Sequence, residues 1–132
     1  MLSLDTLRKI ALSFPETSEE PHFEKTSFRV RKKIFASYDD KNKTASIKLS
    51  PADQDVFSSV DRTIIYPVPN QWGRQGWTCV AMEKVGKELL AAALTMAYCA
   101  VAPKKLADQV RPDRGKAIKE IPPLPDAKPY GL

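Results

Sequence analysis

Two stretches of this chain hold residue types suited to binding as well as to packing. The first is Asn70-Gln71-Trp72-Gly73-Arg74-Gln75-Gly76-Trp77-Thr78-Cys79-Val80, which contains both tryptophans and two of the five glycines. Glycines three apart open backbone angles closed to other residues, and the two indoles bracket a guanidinium and an amide able to form planar hydrogen bonds. This composition describes a shaped loop feeding a strand, with Arg74 and Gln75 offered to a ligand. The same residues also suit a bulged turn whose indoles pack at the rim of the core, with Arg74 held between Trp72 and Trp77 by cation–π contact. The two readings are compatible.

The second stretch is basic. Residues 22–50 carry Lys25, Arg29, Arg31, Lys32, Lys33, Lys41, Lys43 and Lys48 against Glu24, Asp39 and Asp40, so this segment holds the whole formal net charge of +5. Such a field attracts polyanions, and it equally serves solubility. Arg29 and Arg31 share strand parity, so both are expected on the sheet face opposite Phe28 and Val30. Lys32 and Lys33 extend the charge to a hairpin tip, and Lys48 joins from a later strand. Neutralising phosphates is the chemistry such a surface performs.

Catalysis and metal binding find less to work with. His22 is the single histidine, so one chain cannot supply a two-histidine metal site. Glu16, Glu19 and Glu20 are not spaced as a cation-binding loop and lack the glycine such a loop turns on. No nucleophile beside a base, no phosphate-cradling glycine loop and no carboxylate pair stands out, so neither an enzyme nor a cofactor nor a metal is expected. Cys79 and Cys99 show no metal or redox spacing and read as small core residues in a reducing compartment. The first residues lack a signal-peptide layout and no apolar run reaches the roughly 18 residues of a membrane span, so a cytoplasmic protein without a membrane partner is expected.

The elements that position these residues follow from spacing. Ser3 caps a first helix with Asp5 in its first turn, and Leu4, Leu7, Ala11 and Phe14 share a face before Pro15 closes it. Residues 16–21 read as an acidic, turn-prone connection, with His22 stacked on Phe23. Period-two alternation from Thr26 puts Phe28 and Val30 inward, then Ile34, Ala36 and Tyr38 across a longer or bulged tip at residues 31–33, then Ala45, Ile47 and Leu49. Ser50-Pro51-Ala52-Asp53 starts a helix running to about Val60 with Val56, Phe57 and Val60 as its apolar face. Ile64, Ile65, Tyr66 and Val68 form a short strand that Pro67 and Pro69 confine to an edge. Residues 77–82 form a strand, and residues 87–102 a central helix with Leu89, Leu90, Ala93, Met96, Ala97, Ala100 and Val101 inward. Pro103 stops that helix, with Lys104 and Lys105 as cations at its end. One domain is expected over residues 1–107, followed by a proline-rich tail at 108–132, extended or disordered, whose Pro122-Pro123-Leu124-Pro125 offers a docking segment to a protein partner.

Pro21-His22-Phe23, Ser27-Phe28-Arg29-Val30-Arg31, Ile34-Phe35-Ala36, Lys48-Leu49-Ser50-Pro51, Gly73-Arg74-Gln75-Gly76-Trp77 and Val101-Ala102-Pro103-Lys104-Lys105 resemble the MmcQ/YjbR family in order and spacing over residues 2–107. The resemblance implies a compact α/β (α+β) fold similar to the frataxin homologue CyaY, with an antiparallel sheet covered by helices on one face. It also implies a double-wing DNA-binding role. A frataxin-like iron function is not implied, because the first helix offers only Asp5 before Glu16 where an acidic ridge belongs. The expected function is therefore DNA binding without sequence preference, using Arg29, Arg31, Lys32, Lys33, Lys48, Arg74 and Gln75. The alternative is a protein or small-ligand adaptor that presents Trp72, Arg74, Gln75 and Trp77.

Overall fold

In the computed structural model, which describes residues 2–111, helices α1 (Leu4–Ala11) and α4 (Lys87–Val101) lie on one face of a six-stranded antiparallel sheet. The strands are β1 (Thr17–His22), β2 (Lys25–Val30), β3 (Lys33–Asp39), β4 (Thr44–Lys48), β5 (Ile65–Pro67) and β6 (Trp77–Ala81), in the spatial order β1-β2-β3-β4-β6-β5. Helix α2 (Pro51–Val60) packs beside β5, the single turn α3 (Gln71–Arg74) leads into β6, and α5 (Lys104–Val110) packs on α4. Alternation decides which face is covered. Phe28, Val30, Tyr38, Ala45, Ile47 and Val80 point to the helices and are buried, where they meet Leu7, Leu90, Leu94 and Tyr98. Phe14, Phe35 and Tyr98 pack ring on ring in this core, and the Tyr98 hydroxyl donates to the Pro15 carbonyl at 2.6 Å. The expected antiparallel sheet with helices on one face is the fold observed.

Several local expectations are overturned. Residues 17–22, read as a connection, form the edge strand β1, paired with β2 from Thr17 opposite Val30 to His22 opposite Lys25. Its acidic, weakly strand-forming sequence is tolerated because an edge strand is mostly solvated, and charge there discourages further pairing. The β2–β3 tip is a two-residue turn, with positive φ at Arg31 (48°) and Lys32 (73°), rather than a longer loop. The bulge lies inside the hairpin: Phe28 faces Ala36 and Arg29 faces Ile34, leaving Phe35 as the extra residue. Phe35 therefore turns into the core with Ala36 and Tyr38, and Ile34 is left half-buried on the other face. In α2 the buried residue is Ser58, whereas Val56 and Val60 are exposed. Ala100 of α4 is also exposed. Lys104 and Lys105 do not cap α4 but begin α5, where Lys104 pairs with Asp108 at 2.9 Å; Leu106 and Ala107 are buried. Packed chain thus runs to Val110, past the expected start of the tail, and the Pro122-Pro123-Leu124-Pro125 expectation lies outside the described residues.

The turn before β6 is held by close backbone approach. Leu49 donates its backbone N–H to the Gly76 carbonyl at 2.9 Å, and Val68 donates to the Trp77 carbonyl at 2.9 Å. A Cβ on Gly76 would collide with the Leu49 carbonyl oxygen, and one on Gly73 with that of Val68; Gly76 also sits at φ +106°, where other residues are strained. From α2, the Gln54 side-chain nitrogen reaches the carbonyls of Gly73 (2.9 Å) and Trp77 (3.2 Å) and the Thr78 hydroxyl (3.1 Å). Gly76→Ala is accordingly expected to destabilise the domain by about 2 to 4 kcal/mol, as backbone strain adds to overpacking. Chemical denaturation measures this, and an unchanged midpoint would contradict the close approach.

Candidate nucleic-acid interface

The sheet face away from the helices carries a different alphabet. Its central row is in register across all six strands: Glu20, Ser27, Ser37, Ser46, Cys79 and Tyr66. Beside it runs a row of larger side chains in which Ser18 faces Arg29, Arg29 faces Ile34, and Lys48 faces Trp77. Strands about 4.8 Å apart place Arg29 and Trp77, on β2 and β6, about 15 Å from each other across β3 and β4. Arg29 leans toward β1, donating from Nε to the Ser27 hydroxyl at 3.0 Å and from Nη2 to the Pro21 carbonyl at 3.5 Å, and Ser27 is fully covered. The guanidinium is thereby oriented without being neutralised.

Most of the residues singled out from sequence gather at one end of this face. Lys32 lies in the β2–β3 turn, Lys48 ends β4, and Arg74 and Gln75 stand exposed where α3 meets β6, whereas Lys33, opposite the core residue Val30 at the start of β3, leaves the sheet on the covered side and departs from expectation. Strand adjacency brings these segments together although they are far apart in sequence. Arg29, Lys32, Lys33, Lys48 and Arg74 form no ion pair among the described residues. Arg31 departs from expectation. Its left-handed backbone takes it out of strand parity, and its Nε and Nη2 donate to the Glu16 carboxylate at 2.7 and 3.2 Å. That charge is spent inside the molecule, on the carboxylate that precedes β1.

The aromatic part also differs from one of the two readings. Trp72 is 51% exposed, Trp77 lies half-buried beside Lys48, and no ring contact holds Arg74 between them. The reason is the α3 turn, which separates the indoles: Asn70, at φ 87°, caps it by accepting from the Trp72 N–H at 2.8 Å. Cys79 belongs to the open face and not to the core. Burial pushes its thiol above the ordinary value, against the smaller effects of Lys25 and Ser46, so it stays protonated and unreactive near neutral pH. Lys25, left off the site by sequence reasoning, acts on Cys79 and Asp39 from the same face. The period-two register from Phe28 was the signal that places it there.

The acidic residues of the β1 region are also engaged. Glu19 accepts from Arg8 Nε and Nη2 at 2.6 and 3.0 Å, Glu20 accepts from Ser18, and His22 meets Phe23 edge-on at 4.8 Å. Among the described residues no three His, Cys, Asp or Glu side chains assemble as a metal site, and no helix is long and apolar enough to cross a membrane.

A one-sided sheet with a polar row and a basic rim on its bare face defines a small α+β domain of open-faced type. The chain belongs to the YjbR family, whose model matches residues 12–100. Its structure is similar to the crystal structure of Deinococcus radiodurans protein DR2400, which carries the domain DUF419, with a TM-score of 0.69 and 21% identity over 83% of this chain and 88% of that one. At that identity the likeness speaks for the fold. No curated protein matches the sequence.

The Glu16–Arg31 pair makes a prediction about pH. The Arg31 hydrogen bonds, and secondarily its charge, hold the Glu16 carboxyl below its ordinary value, partly offset by desolvation. A depressed folded pKa contributes stability above the ordinary carboxylate value of about 4.3 and loses it as pH falls through the folded value. Arg31→Gln should therefore melt slightly below the parent at neutral pH, with the difference closing in acid. Melts recorded from neutral pH to about 2 test this, and a difference independent of pH would mean that Arg31 acts by packing.

Proposed function

We propose that the chain binds duplex DNA without sequence preference, laying the phosphate backbone across the end of the open sheet face. The observation that carries this reading is the set of four cations, Arg29, Lys32, Lys48 and Arg74, without an ion pair among the described residues, on adjoining segments at one end of the uncovered face. The roughly 15 Å row matches about four phosphates at 3.4 Å of axial rise per strand. Gln75, next to Arg74, would donate to a phosphate in this reading. Nothing in the row forms a protruding helix for the major groove, in keeping with contact to the backbone alone. A cytoplasmic setting suits the free thiols of Cys79 and Cys99.

A second reading, the adaptor, is favoured by one observation: Trp72 is half-exposed next to an unpaired Arg74, a combination common at protein-contact hot spots. Ionic strength separates the two. About four neutralised phosphates give a log–log salt slope of roughly −3.5 on duplex DNA, measured by fluorescence anisotropy. Arg29→Gln combined with Lys48→Gln should reduce the slope by about 2 while the domain stays folded, with only a small fall in melting temperature from the lost Arg29 bonds to Ser27 and Pro21, whereas Arg31→Gln should leave the slope unchanged. Absence of binding at low salt, or binding indifferent to salt, would leave the adaptor reading in place.

A further inference from the structure

We propose that the β5–β6 corner of the bare sheet face is a stacking platform for single-stranded DNA, with Tyr66 and Trp77 each receiving an unpaired base and Lys48 the phosphate between them. The inference rests on the reading that the basic rim binds phosphate, and it adds bases to a contact that otherwise reaches the backbone alone.

Register puts both rings on this face. Tyr66 lies opposite Cys79, and Trp77 stands two residues from Cys79 on β6, so the pair alternates with Ile65, Thr78 and Val80, which are buried toward the helices. Both rings are half-buried, and neither meets another ring among the described residues. The buried polar atoms that lack a partner belong to Ser58 and Arg111, so the Tyr66 hydroxyl and the Trp77 indole N–H, which bond to no described residue, are open to solvent. Their neighbours in the central row are small: Ser46 faces Cys79, and Cys79 faces Tyr66, side chains too short to cover a ring. The backbone beneath is fixed, because the Trp77 carbonyl accepts from the Val68 N–H at 2.9 Å and from the Gln54 amide at 3.2 Å. An aromatic pair held on a rigid strand corner meets a ligand at little entropic cost.

Spacing selects an unpaired strand. Residues placed diagonally on adjacent antiparallel strands stand about 7 to 8 Å apart. Stacked bases rise only about 3.4 Å, so consecutive bases that each occupy one ring must part to roughly twice that spacing. A free strand does this readily, whereas a duplex keeps its bases paired and reaches the cations alone. Every base has a π face, so the preference is for unpaired bases and not for a sequence. Charge agrees with this occupant. Lys48 faces Trp77 across the strand pair, and its ammonium lies against Gly76, 3.3 Å from where a Cβ on that glycine would stand. The charge of Lys25 is felt at Cys79. The acids of the face stand away from the rings: Glu20 is on β1, four strand spacings or about 19 Å from β6, and Asp39 accepts from the Asn42 amide at 2.8 Å at the other end of β3.

The test compares two labelled strands of equal length and charge, an oligothymidylate and its abasic counterpart, by fluorescence anisotropy with the full chain at several salt concentrations. The abasic strand keeps the phosphates and lacks the bases, and it is expected to bind at least about tenfold more weakly. Tyr66→Leu and Trp77→Leu, which keep apolar cover over the strands, should each weaken oligothymidylate binding about tenfold and leave the abasic strand unaffected, whereas Tyr66→Phe should bind as the parent does. Melting curves confirm that each variant is folded. Equal binding of the two strands by the parent, or parental preference in both leucine variants, would overturn the platform and leave the phosphate reading standing. A preference for bases that is indifferent to salt would overturn the phosphate reading and uphold the platform, and absence of binding by either strand at low salt would overturn both.

Discussion

The side-chain amide of Gln54 is the point from which the functional end of this domain is fixed. One nitrogen with two hydrogens serves three acceptors on the α3–β6 turn: two backbone carbonyls and the Thr78 hydroxyl. Thr78 in turn donates to the Gly76 carbonyl at 2.9 Å, and Gly76 accepts from Leu49 at the end of β4. A helix, a turn and two strands therefore meet through one small network. Each buried carbonyl left unpaired would cost about 1 to 3 kcal/mol, so the network resists piecewise loosening. Both glycines are required because the turn lies flush against two other backbones. Arg74 and Trp77 are thus carried on a turn with little freedom, although Arg74 itself is unrestrained.

A second constraint works through charge. The acidic stretch that opens the sheet is a docking strip, because Glu16 and Glu19 each capture an arginine, one from the β2–β3 turn and one from α1. These pairs are partly or largely exposed and are worth little individually. Their effect on the electric field is larger than their effect on stability. By consuming Arg31 and Arg8 they leave Arg29, Lys32, Lys48 and Arg74 as the charges the rim presents, so it is defined as much by what the acids neutralise as by where the cations stand.

Much of this was legible in the sequence, and the failures have physical causes. Alternation from Thr26 to Leu49 placed nearly every inward residue, and Ser3, Ser50 and Pro51 marked the helix starts, since both signals are local. The edge strand was missed because its side chains face water and carry no apolar period; only pairing with β2 makes it a strand. The tip was misjudged because positive φ at Arg31 and Lys32 is imposed by the twist of the flanking strands, against the preference of the residues. The bulge at Phe35 was invisible for a related reason: a large ring was drawn inward by Phe14 and Tyr98, which lie far away in sequence. The candidate site was legible as a charge count and as a loop, whereas their joining at one end of the sheet depends on the order of strands, which no local pattern encodes.

The two faces of the sheet also differ in what they can accept. The covered face presents Phe28, Val30, Tyr38, Ala45, Ile47 and Val80, each reaching far enough to bury apolar surface against a helix. The central row of the bare face presents three serines and a thiol between Glu20 and Tyr66 at its edges, and its small polar middle offers little area and keeps its need for hydrogen bonds. A second helical layer would gain little there and would strand hydroxyls from water, which is why the face stays open once the first layer is in place. A contact on this face is consequently wet, polar and weighted to positive charge by Lys25, Arg29 and Lys48. A partner relying on apolar burial would gain from Ile34, Tyr66 and Trp77 and lose the hydration of their polar neighbours. The bare face is therefore the more polar of the two exposed surfaces, and the half-exposed indole of Trp72 stands apart from it on α3.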